Sequence, residues 1–302
     1  MADPGTATRA LDLLLAEAGR ERTGEVRDST VWAAVVGVER VALVEGTTDP
    51  GRLRLLLQED GLEAQRARTR VEEALERASA DRGPDSGTAH REAGHHSVTT
   101  YAVRLRAALR AAHRTFEHES YYRARYADRG ARYAGTDSAW LVTLADLPAD
   151  GCRGQVAWLS RVLAGRGMPS WLLERHLRDL VIELERAAGP GAGGSLPGAA
   201  DHLAAARRAV VDDDALAAAA GELRAATGET EPLPGAAALV LASAADVVTG
   251  TVAGYDACVS WLTDPERCTP AAATWLRERA AGIAPRPLSA GTSRGGSPAP
   301  RS

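Results

Sequence analysis

The sequence predicts an all-α fold: two helical bundles, related by a candidate internal duplication, behind an additional N-terminal helical region. Three observations carry the prediction. Apolar residues recur at steps of three and four, most clearly at Leu173, Leu177, Leu180 and Leu184. Asp, Ser, Thr or Pro opens most such runs, and Gly closes them. Only one segment, 31–44, has a strand-like alternative, and no partner strand is evident for it.

In chain order, Leu11, Leu14, Leu15 and Ala18 share a helical face that ends at Gly19 and Gly24. Asp28, Ser29 and Thr30 precede the apolar run Val31 to Val44. Val31, Val35, Val38 and Ala42 fit one helical face, whereas Val36, Val38 and Val44 suit a strand; the helical neighbourhood favours helix. Asp49-Pro50 opens the next helix, through Leu53, Leu56 and Leu57 to Gly61. Another runs from about Glu63 to Ala78, with Ala67, Val71, Ala74 and Leu75 on one face. From Val98 a stripe continues through Tyr101, Leu105, Ala108, Leu109, Ala112 and Phe116. Thr136, Asp137 and Ser138 offer a cap for a helix through Trp140, Leu141 and Leu144, ended by Pro148 and Gly151. Val156, Leu159, Val162 and Leu163 form the next, ended by Gly165 and Gly167. Pro169-Ser170 then opens the leucine helix. Further helices are expected at about 199–211, 214–227, 236–262 and 270–282, with Asp212-Asp213-Asp214 as a cap run.

Composition shifts divide the chain. Residues 1–78 form the N-terminal helical region, and 79–97 a polar, Gly-rich loop or linker. Residues 98–187 form the central bundle. The Gly/Pro run 188–198 is the best boundary, and 199–284 form the C-terminal bundle. The Ser, Gly, Pro and Arg tail 285–302 is expected to be disordered. The duplication is suggested by Trp158-Leu159, Pro169 and Trp171, set against Trp261-Leu262, Pro270 and Trp275.

Of 302 residues, 45% are apolar and 25% charged, which excludes wholesale disorder. The net charge of −4 argues against a wholly basic nucleic-acid coat. Every one of the 36 basic residues is Arg, so no Walker loop is present. His-Glu-x-x-His and EF-hand loops are missing too. Cys152, Cys258 and Cys268 have neither disulfide-framework nor metal-ligand spacing, and read as small core residues in a reducing compartment. The N-terminus shows no basic start before an apolar run. Ala236 to Ala253 is Ala- and Val-rich and carries Asp246, so it reads as a buried helix rather than a membrane span. The expected compartment is the cytoplasm, with no metal and no membrane partner.

The segment 101–133 is the chemically densest. It holds five of the six Tyr, and eight Arg against three acids. Arg forks bind carboxylates and phosphates in a bidentate way, and Tyr adds a ring and a hydroxyl. The candidate ligand-binding residues are Tyr101, His113, His118, Tyr121, Tyr122, Arg123, Arg125 and Tyr126, facing an anionic ligand or a tetrapyrrole with its propionates. A nucleic-acid backbone is disfavoured by the excess acid elsewhere. The same pattern also suits Tyr rings in a core with Arg stems reaching outward. His113 and His118, five apart, point to different sides of a helix and make a poor metal pair. Singly, His118 (between Glu117 and Glu119) and His176 (beside Leu173 and Leu177) are candidate axial ligands for haem or cobalamin. Each also reads as an ordinary helix-flank or partly buried histidine. The cofactor stays open among haem, cobalamin and none, with none preferred. Glu183 and Glu185 read as solvated helix charges.

Trp158-Leu159-x-x-Val162-Leu163-x-x-Arg166-Gly167-Met168-Pro169, followed by Leu172-Leu173 and His176-Leu177, resembles part of the bacterial all-helical sensor modules. These are the globin-like stressosome domains and the helical segments of cobalamin-type regulators. The resemblance covers residues 139–184. It implies an all-α fold and a signal-input role, with haem or cobalamin bound in some members. The Asp-x-His-x-x-Gly signature of cobalamin-binding domains is missing. Val41-Ala42-Leu43-Val44-Glu45-Gly46, with Asp49, is similar to the first strand and acidic turn of Toprim nucleases, but no Asp-x-Asp follows a second apolar strand.

The function expected from these features is a non-catalytic regulatory or sensor protein. It acts through helix-mediated association with a protein partner or a second copy, as a homodimer. The alternatives are a small-molecule or tetrapyrrole binding protein using segment 101–133, and an enzyme of unrecognised type.

Overall fold

A computed structural model describes residues 25–47, 49–58, 65, 69, 83–89 and 95–284. The expected helices around Leu11 to Ala18 and Glu63 to Ala78, and the tail from Pro285, lie outside the described residues. Among the described residues the fold is all-α and has no strand. Backbone pairing of the β type is confined there to two isolated bridges, Glu25 with Tyr101 and Asp85 with Ser97.

Helix α1 spans Ser29–Val44. The Asp28 carboxylate accepts the N–H groups of Thr30 and Val31 at 2.7 and 3.1 Å, satisfying donors that have no partner inside the helix. Trp32 is fully buried, and its indole N–H donates to the Thr99 carbonyl at 2.8 Å. The ambiguous segment is therefore helical, and the Toprim-like strand is this helix's last turn and exit. Helix α2, Pro50–Gln58, begins where Asp49 accepts from Gly51 N–H at 3.0 Å.

Helix α3 spans Ala102–His118 and α4 spans Ser120–Leu141, continued by a 3-10 turn at Val142–Asp146. Helices α5 and α6 span Ala149–Gly165 and Ser170–Ala188. Then follow α7 Leu196–Arg208, α8 Asp213–Thr227, α9 Ala236–Val248, α10 Asp256–Leu262 and α11 Pro270–Ile283.

Several expectations change. The segment 79–97 is no loose linker where it is described. Ser86 and Thr88 are buried, Ser86–Ala89 forms one helical turn, and the Ser86 hydroxyl accepts from His96 N–H at 3.0 Å. Thr136, Asp137 and Ser138 do not start a helix. They lie inside α4, where the Thr136 and Ser138 hydroxyls bond back to carbonyls of the preceding turn instead of capping. The expected helix 236–262 is two helices, broken at Gly250, which takes φ +73°. Glu183 is buried rather than solvated, because the guanidiniums of Arg114 and Arg186 meet its carboxylate at 2.5 Å each.

The Gly/Pro run 188–198 is a packed corner. Leu196 within it and Ala199 and Leu203 beyond it share one apolar cluster with Leu159, Leu177 and Leu180 before it. Gly194, at φ +51°, lies so close to Ala145 that an added Cβ would fall 2.1 Å from that carbonyl oxygen. Gly189, Gly191 and Gly194 have Gly-x-Gly-x-x-Gly spacing, yet they follow a helix, so the strand that a dinucleotide loop requires is missing. The two Trp-Leu pairs are placed differently. Trp158-Leu159 lies inside α5, whereas Trp261-Leu262 closes α10.

Three apolar clusters hold the chain. One joins α1 to α3 around Trp32, Val36, Leu105 and Leu109. The second joins α3, α5, α6 and α7. The third collects α8 to α11 against Tyr121 and Leu172. Each fully buried leucine contributes about 2 kcal/mol. Helix α6 belongs to both of the last two clusters, and Asp246 of α9 fastens its start. The Asp246 carboxylate accepts Ser170 N–H at 2.8 Å and the Ser170 hydroxyl through its other oxygen. Burial pushes the Asp246 carboxyl up to about 6, opposed by these two bonds.

Candidate ligand-binding cavity

Helices α3, α4, α5 and α6 line a cavity of about 1190 Å³ that is partly open to solvent. Drug-sized ligand sites run to about 300–1,000 Å³, so there is room for a ligand of several rings.

The walls are aromatic. Phe116 of α3 stacks on Tyr122 of α4, with ring centroids 5.9 Å apart and planes 6° from parallel. Trp140 of α4 meets Trp158 of α5 edge to face at 6.1 Å. Tyr126 and Tyr133 complete the α4 wall. The Tyr126 hydroxyl donates to the Arg166 carbonyl at 3.0 Å, which ties α4 to the end of α5. Burial pushes the Tyr122 hydroxyl far above its usual range, with Glu119 adding to the effect. Burial raises the Tyr126 hydroxyl as well, so both tyrosines stay protonated and act as neutral hydrogen-bonding walls. Helix α4 bends at Ala127, which takes φ +43° and ψ −147°. Residues on both sides of that bend still reach the cavity.

At the floor lies His176. Its Nδ1 is 2.9 Å from Thr115 Oγ1, and its Nε2 is 2.8 Å from Ser138 Oγ. Thr115 Oγ1 is also 3.0 Å from Asp179 Oδ2. Burial pulls the imidazole down to about 4, with Asp179 opposing, so it is neutral at pH 7. The Ser138–His176 spacing is that of a nucleophile and its base. Ser138 is fully buried, however, and does not line the cavity, so no substrate meets its hydroxyl. These bonds instead lock α3, α4 and α6 together.

Asp137 of α4 lies in the cavity wall. Burial pushes its carboxyl up to about 6, and Arg166 opposes this at longer range. Among the described residues none donates a hydrogen bond to it.

The structure brings together Tyr122, Arg125, Tyr126 and His176 of the expected residues. It does not bring in the others. Tyr101 is 44% exposed ahead of α3, and its ring lies under Arg104. Tyr121 is buried in the third cluster, where its hydroxyl accepts from Arg125 and donates to the Gly167 carbonyl. His113 and His118 are outside the cavity wall, and His118 is exposed. Arg123 is exposed and bonds to the Glu117 carbonyl. As an axial ligand His176 would have to give up a bond to Thr115 or Ser138. Among the described residues no cluster of three metal-ligating side chains exists, and no helix is long and apolar enough to cross a membrane. Cys152, Cys258 and Cys268 are buried free thiols, as expected.

Phe116, Asp137, Trp140, Trp158 and Arg166 escaped the sequence reading as site residues. For Asp137 and Trp140 the signal was present. Tyr122, Tyr126, Tyr133, Asp137 and Trp140 are separated by four, seven, four and three residues, one face of a continuous helix. No family model, curated protein or solved structure matches the chain.

Proposed function

We propose that this all-α protein binds a small organic molecule in the cavity between α3, α4, α5 and α6. The observation that carries the reading is the cavity itself: about 1190 Å³, aromatic on facing walls, with Asp137 of α4 and His176 of α6 among its polar groups. A sensor role fits the same site. Trp158, Leu159, Val162, Leu163, Arg166 and Met168, from the stretch that resembles bacterial sensor modules, all line it. On this reading the stretch is the ligand-facing wall, and occupancy is the signal passed to a protein partner. Scattered apolar exposure offers less support for association alone. Val44, Leu55, Tyr101, Leu147, Trp158, Ile182 and Val248 are exposed, and they come from different segments of the chain.

The test is a binding survey of one- and two-ring aromatic compounds against the full chain, followed by Trp fluorescence and calorimetry. Saturable one-to-one binding, abolished by the cavity-filling substitution Ala134→Trp, is the expected result. A survey without a single binder, or binding indifferent to Ala134→Trp in a variant with unchanged circular dichroism, rejects the cavity as the site.

A further inference from the structure

We propose that the cavity selects an organic cation, an aromatic or apolar ligand bearing a protonated amine or quaternary ammonium, with Asp137 as its counter-ion. The proposal rests on the cavity being a ligand site and specifies the ligand's charge.

The first ground is that Asp137, half-buried in the cavity wall, differs from the buried acids. Glu39 receives Arg110 at 2.6 Å. Glu174 receives Arg207 at 3.1 Å, and Glu183 receives Arg114 and Arg186. Asp246 receives both donors of Ser170. Buried carboxylates need such donors, since an uncompensated one is strongly destabilising. Asp137 alone of these five has none among the described residues, and it faces open space large enough for a ligand. A cationic ligand supplies the missing partner.

The second ground is the wall. Faces of Tyr, Phe and Trp carry negative potential and attract cations, most strongly where water is excluded. Tyr122, Tyr126, Tyr133, Trp140 and Trp158 surround the same space as Asp137. An acid within an aromatic enclosure is the chemistry that recognises ammonium groups.

The arginines do not reverse the choice. Arg125 donates to the Tyr121 hydroxyl and lies over the rings of Tyr121, Tyr126 and Trp261 at 5.2–5.6 Å. Arg129 lies over Tyr133 at 5.8 Å. Both guanidiniums are thus already engaged on protein groups. Arg166 is exposed and forms no ion pair with Asp137. An anion in the cavity would leave Asp137 without a partner and add a like charge beside it.

A matched naphthyl series separates these terms at pH 7.5. The probes are 2-naphthylmethyl-trimethylammonium, neutral 2-naphthylmethanol and 2-naphthylacetate, titrated calorimetrically into the full chain. The cation is expected to bind about tenfold tighter than the alcohol, with the acetate weakest. Asp137→Asn should erase the preference for the cation and leave the alcohol's affinity within about twofold. Equal affinities across the series, sensitive to Ala134→Trp, would overturn the charge assignment and leave the cavity reading intact. Tightest binding of the acetate would overturn it in favour of the arginines. Absence of binding by all three would overturn both readings for ligands of this size. The wild-type comparison decides the matter even if Asp137→Asn fails to fold.

Discussion

His176 Nε2 lies 2.8 Å from Ser138 Oγ, inside the contact between α4 and α6. With Thr115 on the other ring nitrogen at 2.9 Å, the imidazole has both ring nitrogens engaged. Its folded-state pKa is about 4, below the ordinary 6.5, because burial disfavours the charged form. The unfolded chain therefore binds the proton more readily than the folded one. The stability this group contributes is complete above about pH 6.5 and is lost as pH falls towards 4, by about 3 kcal/mol. Urea midpoints at pH 7 and pH 4.5 should show this loss in the wild type, and a smaller one in His176→Gln. Identical acid sensitivity in the two proteins would show that the imidazole is not the titrating group.

Asp246 predicts the opposite pH trend. Its carboxyl is pushed up to about 6, so the folded state holds the proton more tightly than the unfolded one. The contribution is greatest below the ordinary carboxylate range and is lost as pH rises through 6. Asp246→Ala removes the acceptor for Ser170 N–H and hydroxyl at the start of α6. We expect a loss of about 2 kcal/mol at pH 5 and a smaller loss at pH 7, read from paired denaturation curves. A larger loss at pH 7 would contradict the assignment.

Arg207 and Glu174 form a buried ion pair between α7 and α6, with side chains 2% and 5% exposed. Arg207 also donates to the Val211 carbonyl at 3.0 Å and meets Asp213 at 2.5 Å. Arg207→Met strands the Glu174 charge and should cost about 3–5 kcal/mol. The double change Arg207→Met with Glu174→Met should cost less than the single change, because no unpaired charge remains. Equal or greater cost in the double variant would show that packing of the arginine stem dominates.

Gly194→Ala should cost about 2 kcal/mol or more, since it adds a Cβ against the Ala145 backbone at φ +51°. Gly198→Ala, in the first turn of α7 with open space around the added carbon, should be neutral or stabilising by up to about 1 kcal/mol. Thermal melts of the two variants compare the corner with the helix it opens. Similar melting temperatures would mean that 188–198 is a loose tether rather than a packed turn.

The all-α class and most helix positions were legible because helical burial is written at a fixed period. Leu173, Leu177, Leu180 and Leu184 face inward wherever the helix docks. Caps were legible at Asp28, Asp49 and Asp212, where the side chain reaches a backbone N–H two or three residues on. The same local rule failed at Thr136 to Ser138. There the hydroxyls have carbonyls one turn back and, for Ser138, His176 from another helix. That partner is 38 residues away, and local propensity does not encode it. Reading a break at this point hid the face on which Tyr133, Asp137 and Trp140 continue the line of Tyr122 and Tyr126.

Sequence alone thus determined what each segment can bury: the helices, their apolar faces and the dense Tyr and Arg content around α4. Tertiary structure decided which polar groups were left over. Periodicity is a local property, whereas the partner of a buried charge comes from a distant helix. Glu183, expected in solvent, is buried because arginines from α3 and α6 converge on it. Asp137, expected as a cap, becomes the carboxylate in the cavity wall because α3, α5 and α6 enclose the space in front of it without giving it a donor.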